Sequence, residues 1–346
     1  MCSAKVSREL SFSNDLLFID GSWGTGKSIL GPVLGCYKGV EKQKLDHIFE
    51  YICTIFDLGE MEKGAAQAIL KTYSDIDIFD ALISREVNLR PSDDTGLLNN
   101  PYSLKYLKRL FKPGDHSVSN YIENENPALQ IMSHHILPVG KILFETYPGR
   151  IKVIEMVRHP LFMLDHWFHY IDRCATDVRE FTLYIKHKDK HVPWFCKGWE
   201  DEFLSLRGYN KVVKCIDSIF QKIYSFTDSL PKEERDRILF IPFEKFVLEP
   251  TYFTEKLRFF LDRDVNNKLL TRVLKKQKCP RKSLMAGRGH KSYGFRRVSD
   301  DFQDKQYIKE KLLFLEKEMS PEYFKLLSKV SNEYEERFNL KGVGPF

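Results

Sequence analysis

No run of apolar residues in this 346-residue chain is long enough to span a bilayer. The opening Met1-Cys2-Ser3-Ala4-Lys5 lacks the apolar stretch of a secretory signal. The seven cysteines are odd in number and widely scattered, with no C-x-x-C pair, which argues against a zinc knuckle and a disulfide framework and for a reducing compartment. The excess of one charge sign over the other is small as well. A net +6 is a mild bias toward anionic ligands and too small to imply a nucleic-acid partner. Internal repeats, low-complexity tracts and a convincing linker are also missing. These absences leave a cytoplasmic globular chain with no membrane segment and no metal site. The 42% hydrophobic content is enough to build a sizeable core.

Against that background one stretch stands out. Leu16-Leu17-Phe18-Ile19 is a short apolar strand, and Asp20-Gly21-Ser22-Trp23-Gly24-Thr25-Gly26-Lys27-Ser28 follows before a helical pattern begins at Ile29-Leu30. Gly21, Gly26, Lys27 and Ser28 match G-x-x-x-x-G-K-[ST], the phosphate-binding loop. Such a loop must bring backbone N–H groups very close to an anion, so it sheds side chains. The following helix adds unpaired N–H groups and the positive end of its dipole. Lys27 adds a full charge, and the Ser28 hydroxyl can bond a phosphate oxygen or a metal. The chain therefore binds a phosphorylated group here.

The rest reads as alternating strands and helices, which predicts an α/β fold with a parallel, doubly wound sheet flanked by helices. Strands are predicted at 129–132, 151–157 and 238–242. Helical spacing is evident over 45–83 (two or three helices), 102–111, 138–147, from Pro160 onward, 211–230, 251–262 and 304–336 (one long helix). Segments 90–101 and 173–210 read as irregular, and 268–297 is rich in Lys and Arg. The expectation is one domain over 1–346. Its nucleotide-binding core covers about 15–40, 129–170 and 238–297, with substrate-side insertions at about 45–125 and 173–210.

A triphosphate–magnesium site needs a strand ending in Asp to hold the metal. Here the best strand, Ile151–Val157, ends in Arg158 instead, and 238–242 leads only to Glu244. A guanidinium fork at the sheet edge suits a second phosphate group. The ligand then carries phosphates at two separate places.

These stretches resemble the sulfotransferases that use 3′-phosphoadenosine 5′-phosphosulfate (PAPS). Phe18–Ser28 resembles the family's loop for the 5′-phosphosulfate, and Val153–Val157 with Arg158-His159-Pro160 resembles its Arg-x-Pro element for the 3′-phosphate. Phe240–Pro250 followed by Leu257–Leu261 is similar to a third family segment. Arg288, Gly289, His290 and Lys291, with Ser292–Phe295, resemble the basic segment that closes over the nucleotide. The resemblance implies a P-loop three-layer fold, PAPS as donor, adenosine 3′,5′-bisphosphate as product and no metal requirement. It implies donor contacts from Gly21 through Ser28 and from Arg158. Gly24 stands where the family has a basic residue, and His166, eight residues after Arg158, stands where it has a serine. Either the basic role moves to Lys27 and His166 replaces a hydroxyl donor, or the donor differs from the standard one.

Sulfuryl transfer needs a base for the acceptor hydroxyl and a cation for the leaving group. Lys27 is the candidate cation. Ser133-His134-His135-Ile136-Leu137-Pro138 resembles the family's Lys-Thr-His-Leu-Pro, whose His is the base. Strand alternation sends the two histidines to opposite sides, so one of them faces the donor, with His135 slightly favoured. The acceptor is a hydroxyl-bearing small molecule or glycan. Arg90, Asp93, Asp94, Trp194 and Trp199 are candidates to contact it. Two other readings stay open: a small-molecule kinase using ATP and magnesium, and a nucleotide-binding module without turnover.

Overall fold

The computed structural model describes residues 5–91, 93, 95–172, 174, 176, 180–284 and 304–340. Seven strands form among the described residues: β1 (Leu16–Asp20), β2 (Lys44–Leu45), β3 (Leu129–Met132), β4 (Ile151–Val157), β5 (Tyr184–His187), β6 (Lys190–Pro193) and β7 (Ile238–Pro242). Five make one sheet in the order β2-β3-β1-β4-β7, with every pairing parallel. A parallel sheet covered on both faces needs continuous apolar strands, and Leu16-Leu17-Phe18-Ile19 is buried throughout. Alternation sends Leu16 and Phe18 into one apolar layer and Leu17 and Ile19 into the other. The first layer includes helices Ile48–Asp57, Lys63–Ile83, Pro160–Asp172, Gly208–Ser229 and Pro321–Phe338. Helices Leu30–Leu34, Phe243–Leu248, Pro250–Leu261 and Asn267–Lys276 belong to the second.

The chain places β3 on one side of β1 and β4 on the other, so its winding reverses beside β1. In open sheets of this kind, ligands lie in the crevice beyond the strands' C-terminal ends at that reversal. Asp20, Ser133 and Arg158 all stand at this edge.

Three expectations needed correction. Segment 173–210 contains the antiparallel hairpin β5–β6 and the helix Glu200–Ser205. The helix read over 304–336 is two, Asp304–Glu318 and Pro321–Phe338, because Pro321 starts a new helix and disfavours helical backbone at Ser320. The helix after the glycine loop is only a 3-10 turn, Lys27–Ile29, continued by Leu30–Leu34. No helix among the described residues is long and apolar enough to cross a membrane.

A buried ion pair secures the segment before β2. Both Glu41 carboxylate oxygens accept from Arg109, at 2.7 and 3.0 Å, and one also accepts from the Tyr106 hydroxyl at 2.8 Å. Burial opposes the Glu41 charge, yet bonds from Arg109 and the charge of Lys105 hold its carboxyl below the usual range. Removing one partner strands the other, so Arg109→Ala is expected to cost about 3–5 kcal/mol in urea unfolding at neutral pH. A depressed carboxylate contributes above its unfolded pKa and stops contributing as acid protonates it in the folded state. The difference between wild type and variant should therefore shrink on acidification. A difference that is pH-independent or below about 1 kcal/mol would refute this account.

Candidate active site

β1 delivers Asp20 and then Gly21 to the sheet edge. A Cβ at Gly21 (φ +144°) would lie 2.4 Å from the Met156 carbonyl oxygen, and one at Gly26 (φ +85°) 2.4 Å from the Phe243 ring. The loop runs too close to β4 and to the Phe243 ring for any side chain at either position. Within it, the Thr25 hydroxyl donates to the Ser22 carbonyl at 2.9 Å. Lys27 folds back across the loop, and its Nζ donates to the Gly21 carbonyl at 2.6 Å. The following helix is so short that its dipole contributes little; charge at the loop comes from Lys27 and Arg158.

Lys27 is 7% exposed. Burial lowers its pKa to about 8, against the pull of Asp20, Glu50 and Glu155. These three acids differ in what they do. Asp20 accepts from the Ser133 hydroxyl (2.9 Å) and the Leu137 N–H (2.8 Å), tying the end of β1 to the chain beyond β3. Glu155, level with Asp20 on β4, is held well above the usual carboxyl range by burial and by the Asp20 charge. Glu50 accepts from the His134 N–H at 3.0 Å, and burial, then Asp20, pushes it up to about 7.

Arg158, at the end of β4, donates through Nη1 to the Gly24 carbonyl at 3.0 Å and lies 4.4 Å over the Phe243 ring. His166 packs beneath the same loop, where a Cβ on Gly24 would lie 2.9 Å from the His166 Cβ. The loop, Lys27, Arg158 and His166 are thus brought together.

The two histidines after β3 part company. His134 lines a cavity of about 190 Å³ with Trp23, Leu45, His47, Glu50, Tyr170, Glu180, Phe181 and Thr182. Its ring stacks on that of His47, 5.3 Å between centroids. Burial, with Lys27 and His47 adding to it, lowers its pKa well below the usual value, so the imidazole is neutral. His135 instead turns into an aromatic pocket formed by Trp23, Trp167 and Phe195. Burial takes its pKa down to about 3, and neither ring nitrogen has a hydrogen-bond partner among the described residues. The histidine facing the cavity is His134, not the slightly favoured His135.

The expected acceptor residues are not gathered at this cavity. Trp194 is buried in the core against Phe195. Trp199 donates to the Ser218 hydroxyl at 3.2 Å and packs on Phe203. Arg90 is exposed in a turn, 3.7 Å from Asp93. Asp94, Arg288, Gly289, His290 and Lys291 lie outside the described residues. Sequence reasoning missed His47 and Glu50. A buried acid on the apolar face of Ile48–Asp57 was the readable signal for Glu50, and none marked His47.

No protein-family model matches this chain, and no curated protein does. Solved structures do. The chain is similar in structure to sulfotransferases. The sulfotransferase domain of the Synechococcus PCC 7002 olefin synthase is 16% identical, with a TM-score of 0.40 over 77% of this chain and 80% of that one. The sulfotransferase domain from the curacin biosynthetic pathway is 15% identical, with a TM-score of 0.43 over 94% and 99%. A mouse sulfotransferase complexed with PAP is 15% identical, with a TM-score of 0.35 over 94% and 90%. At TM-scores below 0.5 none of these likenesses assigns a role to any residue; the side chains must do that.

Proposed function

We propose that this protein is a sulfotransferase that moves a sulfuryl group from PAPS to a hydroxyl of a small molecule or glycan. One observation carries the reading. Two buried cations reach the same glycine loop, Lys27 at Gly21 and Arg158 at Gly24, and a neutral imidazole, His134, faces the adjoining cavity. In the reaction, the acceptor O–H gives its proton to His134 while its oxygen attacks sulfur. The bond between sulfur and the bridging oxygen breaks, and the charge left on the 5′-phosphate is neutralised by Lys27. Arg158 holds the 3′-phosphate, and the product is adenosine 3′,5′-bisphosphate. No metal takes part in these steps. Six described cysteines are free, which fits a reducing, cytoplasmic setting.

A kinase would need a strand-end carboxylate for magnesium. Glu244 is engaged instead, accepting from the His159 N–H at 2.9 Å and the Tyr334 hydroxyl at 2.8 Å. Asp20 is likewise engaged.

The deciding experiment is thermal-shift titration with adenosine 3′,5′-bisphosphate and, separately, ATP plus magnesium, since a ligand of the folded state raises the melting temperature. The bisphosphate should raise it in the presence of EDTA, and ATP should do little. The reverse pattern would make the protein a kinase. For the base, His134→Ala is expected to reduce turnover on the order of a hundredfold, and His135→Ala far less. A larger loss at His135, with both variants folded, would exchange their roles.

A further inference from the structure

His47, Glu50 and His134 each offer one ligand-type atom, and the three atoms all lie within 4.8 Å of one another. They come from two elements that meet at the sheet edge: His47 immediately precedes the helix Ile48–Asp57, Glu50 is in its first turn, and His134 follows β3. The hydrogen bond from the His134 N–H to Glu50 holds those elements in register. His47 is braced by rings on several sides, stacking on His134 and Tyr51 and leaning on Phe181. A four-coordinate ion with ligands about 2.0–2.2 Å away needs its donor atoms roughly 3.3–3.5 Å apart. Small side-chain rotations close the remaining gap, because the group opens on the cavity of about 190 Å³ rather than on packed core. That opening also leaves a fourth position for water.

We propose that His47, Glu50 and His134 form a binding site for a divalent transition ion of the zinc class, and that its occupancy switches the enzyme off. Two imidazoles and one carboxylate suit zinc or cobalt, whereas magnesium and calcium prefer oxygen-only sets. The positive charge of Lys27 is nearby, but Asp20 and Glu50 counter it. The inhibitory part rests on the sulfotransferase reading: an ion on His134 takes the lone pair that would accept the acceptor's proton.

The test is titration of the full chain with Co²⁺, followed by its visible absorption and by displacement with Zn²⁺. One equivalent is expected to bind to wild type with tetrahedral-type bands. His47→Ala and Glu50→Gln should each weaken binding at least tenfold, with folding checked by circular dichroism and melting temperature. His47 is only half-buried, so His47→Ala decides the question if Glu50→Gln fails to fold. Failure of wild type to take up one equivalent, or unchanged uptake by His47→Ala, overturns the site. In the transfer assay, zinc should inhibit wild type reversibly, with EDTA restoring activity, and His47→Ala should need at least tenfold more zinc. Stoichiometric cobalt uptake in a protein that neither binds the bisphosphate nucleotide nor transfers sulfate would overturn the sulfotransferase reading and leave the metal site standing. Transfer activity indifferent to zinc at saturating occupancy would overturn the inhibitory role.

Discussion

Lys27→Ala is expected to cut turnover by a factor on the order of a hundred or more while leaving the protein folded. The charge that develops on the leaving phosphate must be met inside the glycine loop, and Lys27 Nζ already sits there against the Gly21 carbonyl. Folding should survive, because a buried lysine with its pKa lowered to about 8 destabilises the charged form rather than supporting the structure. The same shift makes a pH prediction. Below about pH 8 Lys27 is already protonated, and donor binding takes up no proton at this site. Above it, an anion must draw a proton onto Lys27, so affinity falls as pH rises, by up to about tenfold per pH unit. Calorimetry in buffers of different ionisation enthalpy reads that uptake directly. Near-normal turnover in folded Lys27→Ala would remove Lys27 from the mechanism.

The second large effect belongs to Arg158. If its guanidinium holds the 3′-phosphate, Arg158→Ala should weaken adenosine 3′,5′-bisphosphate by about 2–5 kcal/mol, the usual cost of deleting one partner of a desolvated charge pair. Adenosine 5′-monophosphate should lose only about 1 kcal/mol, the worth of the hydrogen bond that steadies Gly24. The gap between the two ligands is the quantity to measure, since general loosening would weaken both alike. If wild type binds both nucleotides equally well, there is no 3′-phosphate site, and the sulfotransferase reading goes with it.

The parts of this fold legible in the sequence are those where composition leaves one solution. β3, β4 and β7 were readable to the residue because strands of a covered sheet are short, mostly apolar segments, here interrupted only by Gln130, Lys152 and Glu155. The hairpin β5–β6 was not. Its turn residues Lys188 and Asp189 both adopt positive φ without glycine or asparagine, so the usual turn signal is missing. β2 is two residues long and carries no pattern at all. In the site, the loop and Arg158 were legible because the glycine-lysine pattern and the strand-end arginine are local in sequence, and the structure brings them together. Alternation after β3 predicted that the two histidines point to opposite sides, but not which one lines the cavity. That depends on Trp167 and Phe195, which are remote in sequence and enclose His135. His47 reaches the site only through tertiary folding, and no spacing rule connects it to His134.

Trp23 belongs to two surfaces at once. It is a residue of the glycine loop, and its ring, stacked 4.7 Å from that of Tyr170, is also a wall of the cavity that His134 faces. A ligand that settles the loop therefore also sets the shape of the neighbouring chamber. On the proposed sulfotransferase reading, nucleotide and acceptor would then not bind independently, and a smaller residue at position 23 is expected to weaken the coupling between them before it changes the chemistry.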